Sequence, residues 1–423
     1  MAAVTAPPPV YAQRMLDAAR ICFVVSAAAL PLSTAATNLF AVLGFLSWAL
    51  SGQWQPALRS ITAEPVAWLG CALFALLALG IGWSLVPPAE AAAALLKYRE
   101  LLFFGVVLFL FANARWRARL LGAFFAGALV LLALSYAVYL GLFTYVDERG
   151  FSSAENAVLL KNAITHGFIM SLLAYGTAVL AMQRLGWQRW ALALVSLLAA
   201  ANVWLAVQGR TGYVVLAILV LWFAYSRWSW KGLAASVAGL ALLIAAAYQW
   251  APVFQTRVTQ AAREARDYRF QGHPGETSIG SRLHFWKRSA EWLSAHPIAG
   301  AGTGGWVEAF YAATEGDDAY MHNRDRSHPH NEYVHLAVQL GPFGAGLFAA
   351  MLFVAFRNAR RLQGEYAAWA QGLVLAFAVG SLFNDLLFDS TEGHLWALVG
   401  GALFAAAQAL PSAGYSGAGS KAD

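Results

Sequence analysis

Histidines and arginines carry the first sign of chemistry in this chain. In "RSHPHNEYVHLAVQLGPFGAGLF", residues 326–348, His328, His330 and His335 run directly into an apolar stretch long enough to begin crossing a membrane. A neutral imidazole accepts a proton near pH 7, which suits it to activating a poor nucleophile. The second set is cationic. Arg210 stands in "VQGRTGYVVL" at the end of an apolar run, and Arg282 and Arg288 lie in the polar segment before the histidines. Between residues 257 and 288 there are seven Lys or Arg against Glu264, Asp267 and Glu276, a balance of +4. Arginine offers paired donors in a fixed fork, so this basic zone suits an anionic partner, with lipid phosphates or a diphosphate the nearest candidates.

Other readings of the same residues are blander. The histidines could be interfacial residues, and the arginines could meet ordinary headgroups. Zinc would need a third protein ligand such as His322 or Asp325, and nothing fixes that spacing, so no metal is expected. The adjacent "DD" at 317–318 is not a spaced D-x-D pair. His335 follows His330 by five positions and would face elsewhere on a continuous helix. The glycine cluster at 300–305 has no strand before it and no GK[ST] after it, which makes it a turn. Lys97, Arg99 and Glu100 head one apolar run, and Lys161 and His166 lie near the head of another. Each could face a cavity or snorkel to the surface. Of these, Arg99 and Lys161 are candidates for substrate binding.

The elements that hold these residues must be membrane helices. The chain has 423 residues, of which 60% are hydrophobic and only 12% charged, against about 25% charged in soluble domains. Apolar runs recur near 15–33, 35–52, 65–83, 94–112, 119–142, 157–182, 190–207, 212–226, 232–250, 332–356, 366–386 and 393–409. The first pair is split because one helix over 21–50 would be about 45 Å long, and Pro31 interrupts it. The fold class expected is an all-α polytopic bundle of about twelve transmembrane helices. Cys22 and Cys71 both lie in apolar runs, which excludes a disulfide framework or a cysteine metal site. Arg14 and Arg20 before the first run suit a signal-anchor helix.

Charge orients the bundle. Arg14, Arg20, Arg59, "RWRAR" at 115–119, Arg184, Arg189, Arg227, Lys231, "RNARR" at 357–361 and Lys421 occupy one set of loops. The alternate loops, among them "PPAE", "YVDERGFSSAEN" and "FDSTEG", are acidic or nearly neutral. The positive-inside rule then puts both termini in the cytoplasm. The net charge of +6 is a topology signal, and no nucleic-acid partner is expected. Four regions follow: residues 1–250 with nine spans, an extracytoplasmic helical loop at 251–331, three more spans in 332–409, and a cytoplasmic tail at 410–423. Within the loop, 254–270 and 281–296 read as helices. The second repeats Leu283, Trp286, Ala290 and Leu293 at helical spacing, as a helix roofing the bundle would.

His330-Asn331, nine residues and Gly341-Pro-Phe-Gly344 form an H-N-x9-G-x-x-G pattern that resembles the motif of the O-antigen ligase family. "GRTGYVV" resembles that family's arginine motif, with Val214 where the pattern has leucine. "SRLHFWKRSAEWLSAHPIAGAGTGGW" is similar to its segment before the histidine. The resemblance implies a fold like the C-type integral-membrane glycosyltransferases, a periplasmic active site and no cofactor. It implies inverting transfer of a glycan from undecaprenyl diphosphate to a sugar hydroxyl of lipid A-core in the bacterial inner membrane. His330 would be the base, Arg210 and Arg282 would serve catalysis by holding the diphosphate, and Arg288 and Asn331 would bind substrate. O-antigen polymerases and protein O-oligosaccharyltransferases share the donor. A transporter or flippase is the remote alternative, and it would be expected to carry interrupted helices or mid-membrane charges.

Overall fold

The computed structural model describes residues 9–147, 150–153, 156–207, 209–250, 252–266, 278–314 and 328–408. The tail at 410–423, the acidic pair at 317–318, His322 and Asp325 lie outside these residues. Helices dominate. α1 (Val10–Ala29) and α2 (Thr34–Leu50) pack side by side across a turn holding Pro31, in which the Ser33 hydroxyl caps α2 by accepting from Ala36 N. α3 (Trp54–Ala63) bends away from α2 by 114°. α4 (Pro65–Gly80) continues to Trp83 in a tighter turn. α5 (Pro88–Leu96), α6 (Glu100–Leu110) and α7 (Ala114–Tyr139) follow.

A short antiparallel hairpin comes next, β1 (Tyr145–Asp147) with β2 (Gly150–Ser152), pairing Val146 with Phe151. The all-helical expectation omitted it. α8 (Ala163–Ala181) and α9 (Gly186–Ala201) lead through a wide turn at Asn202–Ala206 into α10 (Arg210–Trp250). The break expected at 227–231 occurs inside α10, where Trp228 and Ser229 leave helical geometry. α11 (Pro252–Arg266), α12 (Ser278–Ala295) and α13 (Trp306–Ala313) form the polar segment. α14 (Glu332–Leu340), α15 (Pro342–Ala359), α16 (Gly364–Gly380), α17 (Ser390–Leu395) and α18 (Gly401–Gln408) complete the described chain.

Among the described residues, six helices are long and apolar enough to cross a membrane, and the bent α2–α3 pair would make a seventh. Fewer pass that test than the apolar runs suggested, because several runs are broken by the backbone. The run 94–112 divides between α5 and α6, 332–356 divides at Gly341, and 393–409 is interrupted by a wide turn at Trp396–Gly400. Outward-facing Leu185, Leu242 and Phe353 are exposed while one continuous core joins α1, α4, α6, α7, α8, α15, α16 and α18. Apolar residues on both sides of the same helices are what a bilayer solvent permits.

The segment after α12 has a small core of its own. Phe285, Trp306 and Phe310 stack with Ala301 and Val338. The buried face of α12 therefore runs through His284, Phe285 and Ser289, and Ala290 is exposed. This differs from the face read by spacing, because the aromatic residues of α13 draw Phe285 inward. The glycine cluster is a turn that docks on helix ends. Ala301 N and Gly302 N donate to the Val338 and Gln339 carbonyls, and Thr303 N donates to Gly80 O. Carbonyls at the ends of α14 and α4 that lack intrahelical partners are satisfied this way.

Gly341 makes that docking possible. Its φ of +66° separates α14 from α15, and a Cβ there would sit 1.9 Å from the Ile298 carbonyl oxygen. Gly341→Ala should lower thermal stability in detergent by at least about 1–2 kcal/mol, from the left-handed backbone alone. An unchanged unfolding temperature would show that the turn does not depend on this close approach.

Candidate active site

The site begins where the backbone turns into α14. His330 has φ of +55°, a left-handed conformation rare outside glycine. Asn331 then caps the helix, its side-chain oxygen accepting from Val334 N at 3.1 Å. Asn331 is thus placed as a structural cap. Because α14 starts only at Glu332, His330 is not on the same continuous helix as His335, and the five-residue spacing does not decide where the two rings point.

A second segment, the turn 381–389 between α16 and α17, closes on the histidines. Glu332 holds it, its Oε2 accepting from Leu387 N at 2.8 Å and Phe388 N at 3.3 Å, while Glu332 N donates to Ser381 O. This turn brings in Asn384 and Asp385. His328 Nδ1 is 2.5 Å from Asp385 Oδ2, and His335 Nδ1 is 3.1 Å from Asp385 Oδ1. His330 Nδ1 is 3.2 Å from Asn384 Oδ1. The rings of His328 and His330 meet edge to face, with centroids 4.5 Å apart. Lys97 Nζ lies 4.0 Å from the centre of the Phe388 ring, which in turn packs on His335.

α12 forms the third wall. Trp286 Nε1 donates to the Pro329 carbonyl, and Phe285 lies 6.3 Å from the His330 ring in a stacked arrangement. Beside it, Arg210, Thr211 and Val214 of α10, Arg282, Leu283 and Trp286 of α12, and Phe383 line a cavity of about 220 Å³. Arg210 opens α10 and Arg282 lies in the first turns of α12, so both guanidinium groups enter from helix beginnings that themselves favour anions. Burial first, and then the positive Arg210 opposite it, lower the Arg282 guanidinium from its ordinary value. Two cations converging on one partly buried cavity repel unless an anion lies between them.

Electrostatics separate the two neighbouring histidines. Burial would lower His328, but the Asp385 carboxylate hydrogen-bonded to it prevails and holds it above its ordinary value. His330 has no such carboxylate in direct contact. Burial, then the adjacent His328 and the Arg282 charge, lower it to about 4. His330 is therefore a neutral imidazole at pH 7, and its Nε2 makes no hydrogen bond among the described residues.

The other sequence candidates fall elsewhere. Arg288 pairs with Glu291 at 3.0 Å and does not line the arginine cavity. It is six positions from Arg282, roughly 240° around the helix. Lys161 is buried, its Nζ donating to the Thr34 and Thr391 hydroxyls at 2.8 and 3.1 Å. Arg99 meets Glu100 at 3.2 Å and hydrogen-bonds Asn38. With Thr165 donating to Glu392 Oε1 at 2.6 Å, these residues tie α2, α6, α8 and α17 together.

Asn384, Asp385 and Asp389 were missed by sequence reasoning. They stand in "FNDLLFDS", where carboxylates interrupt an apolar run. That interruption is a usable sign, although Asn384 and Asp385 fall within the apolar run read at 366–386 and Asp389 in the loop after it. The atoms of His328, His330 and Asp385 also lie within 4.8 Å of one another, a grouping that could approach a cation. The Asp385 contact to His328 already uses a nitrogen and an oxygen that a cation would need, and the three donors would leave a fourth tetrahedral position open.

Fold and site together define an all-α membrane protein with an imidazole and converging arginines at the head of its helices. Residues 193–349 match the family model described as O-antigen ligase. This segment, which holds Arg210, Arg282, His330, Gly341 and Gly344, is what the chain shares with the O-antigen ligase family. Arg99, Lys161, Asn384 and Asp385 lie outside the matched residues. No curated protein matches the chain.

Proposed function

We propose that this protein is an O-antigen ligase acting at the periplasmic face of the bacterial inner membrane. It transfers O-antigen polysaccharide from undecaprenyl diphosphate to a sugar hydroxyl of lipid A-core, with inversion. One observation carries the reading: a neutral imidazole, His330, stands beside a cavity into which Arg210 and Arg282 converge. His330 Nε2 takes the hydroxyl proton as the sugar oxygen attacks the anomeric carbon. The bond from that carbon to the diphosphate oxygen breaks, and undecaprenyl diphosphate leaves with its charge held by the two arginines. A diphosphate is a good leaving group, so no general acid is required. Twelve membrane crossings, cytoplasmic termini and residues 251–331 as an extracytoplasmic layer over a bundle of 1–250 and 332–409 belong to the same proposal, supported by the charge alternation of the loops.

The test is purified protein with undecaprenyl-diphosphate-linked glycan and rough lipopolysaccharide. A ladder on lipid A-core supports the ligase. Growth of glycan on the donor lipid alone would make the protein a polymerase. Activity should persist in excess EDTA, since fixed cations compensate the charge. Loss of activity that Mg²⁺, Mn²⁺ or Zn²⁺ restores would assign His328, His330 and Asp385 to a metal instead.

A further inference from the structure

We propose that Asn384 and Asp389 form a positioning relay that fixes the tautomer of His330, so that its Nε2 presents a lone pair to the acceptor hydroxyl. The inference rests on the general-base reading above. Asn384 is buried, and the two ends of its amide have different partners. Its Nδ2 donates to Asp389 Oδ2 at 2.7 Å, and its Oδ1 lies 3.2 Å from His330 Nδ1. Asp389 Oδ2 accepts from the amide NH2, so Asp389 decides which end of the amide turns toward it. The end left for the imidazole is the oxygen, which cannot donate. The hydrogen between them must therefore belong to His330 Nδ1, and in a neutral imidazole that leaves Nε2 bare.

The relay is separate from the other carboxylate in the turn. Asp385 is next to Asn384 in sequence but faces His328 and His335. Successive residues of one turn thus serve different histidines, and the left-handed backbone at His330 brings its ring to the amide. The charged or titratable groups around His330 are His328 on its own segment, Arg282 from α12 and Asp385 from the turn. None of these supplies an acceptor to Nδ1, which leaves Asn384 as the group that selects the tautomer.

The test exchanges the two side chains, using the full-length protein in the ligation assay with rough lipopolysaccharide as acceptor. Asn384→Leu should lower kcat roughly tenfold to a hundredfold, a part of the 10²–10⁴-fold a general base contributes, with the KM for donor unchanged. Asp389→Leu frees the amide to turn and should do the same. The two together should be no worse than either alone, because both remove one function. Asn384→Asp alone sets two carboxylates face to face and should be poor. Asn384→Asp combined with Asp389→Asn rebuilds the chain with amide and carboxylate exchanged, and kcat should return to within severalfold of the parent. An exchanged pair as inactive as the worst single variant, losses that multiply, or an effect confined to KM would overturn the relay. If Asn384→Leu fails to fold, the comparison of Asn384→Asp with the exchanged pair decides. Activity in His330→Ala would sink the base itself; a dead His330→Ala beside a fully active Asn384→Leu would sink only the relay.

Discussion

Replacing His330 with Ala or Gln should lower transfer by about 10²–10⁴-fold, the usual contribution of a general base, while folding and donor binding persist. His330 packs on Phe285 of the helix that walls the arginine cavity and its Nε2 has no hydrogen bond among the described residues, and neither Ala nor Gln can take a proton there. The pH dependence should carry its own mark. His330 is lowered to about 4. A lowered base is already unprotonated through the neutral range. Transfer by the free enzyme should therefore rise with pH only near that value and be flat around neutrality. A limb that stays near the ordinary value of about 6.5, with donor binding constant across the range, would point to another base. His328→Ala and His335→Ala should be milder in rate and felt more in stability, since each removes one partner of the buried Asp385. Near-normal ligation in His330 variants beside dead His328 or His335 variants would reassign the base.

The second large effect is expected at Arg210. Arg210→Lys should be nearly as damaging as Arg210→Ala, with transfer falling on the order of 10²-fold, the scale of losing one donor to a developing charge. The reason is geometric. Arg210 and Arg282 face a common cavity from different helices, and a diphosphate between them would be gripped by paired N–H groups. A lysine keeps the charge but brings a single ammonium on a flexible stem. Arg288→Ala should cost far less, because Arg288 pairs with Glu291 and does not line the cavity. A lysine variant with parental turnover and donor affinity would reduce Arg210 to a general positive charge.

The sequence by itself determined the solvent of this protein, its helical class and much of its chemistry. Apolar runs separated by short basic loops can only be accommodated by helices in lipid, because each backbone polar group must find its partner within its own segment. The arginines and His330 were legible because charged and titratable side chains beside apolar runs stand out against an apolar background. Gly341 was legible too, though its reason was not: only the packed chain shows the Ile298 carbonyl where a side chain would be.

The partners of those residues were decided by tertiary structure alone. Asn384 lies 54 residues beyond His330, and Asp385 lies 57 beyond His328. No periodicity of a single helix links residues at that separation; the turn after α16 must first be held against the start of α14 by Glu332. The same holds for the sorting of the cations. Arg210 and Arg282 meet across two helices, while Arg288, Lys161 and Arg99 turn to Glu291, Thr34 and Glu100. Composition and spacing show which side chains can carry a charge. Which of them face one another depends on helix rotation and on where the backbone breaks, and those are set by packing between segments far apart in the chain.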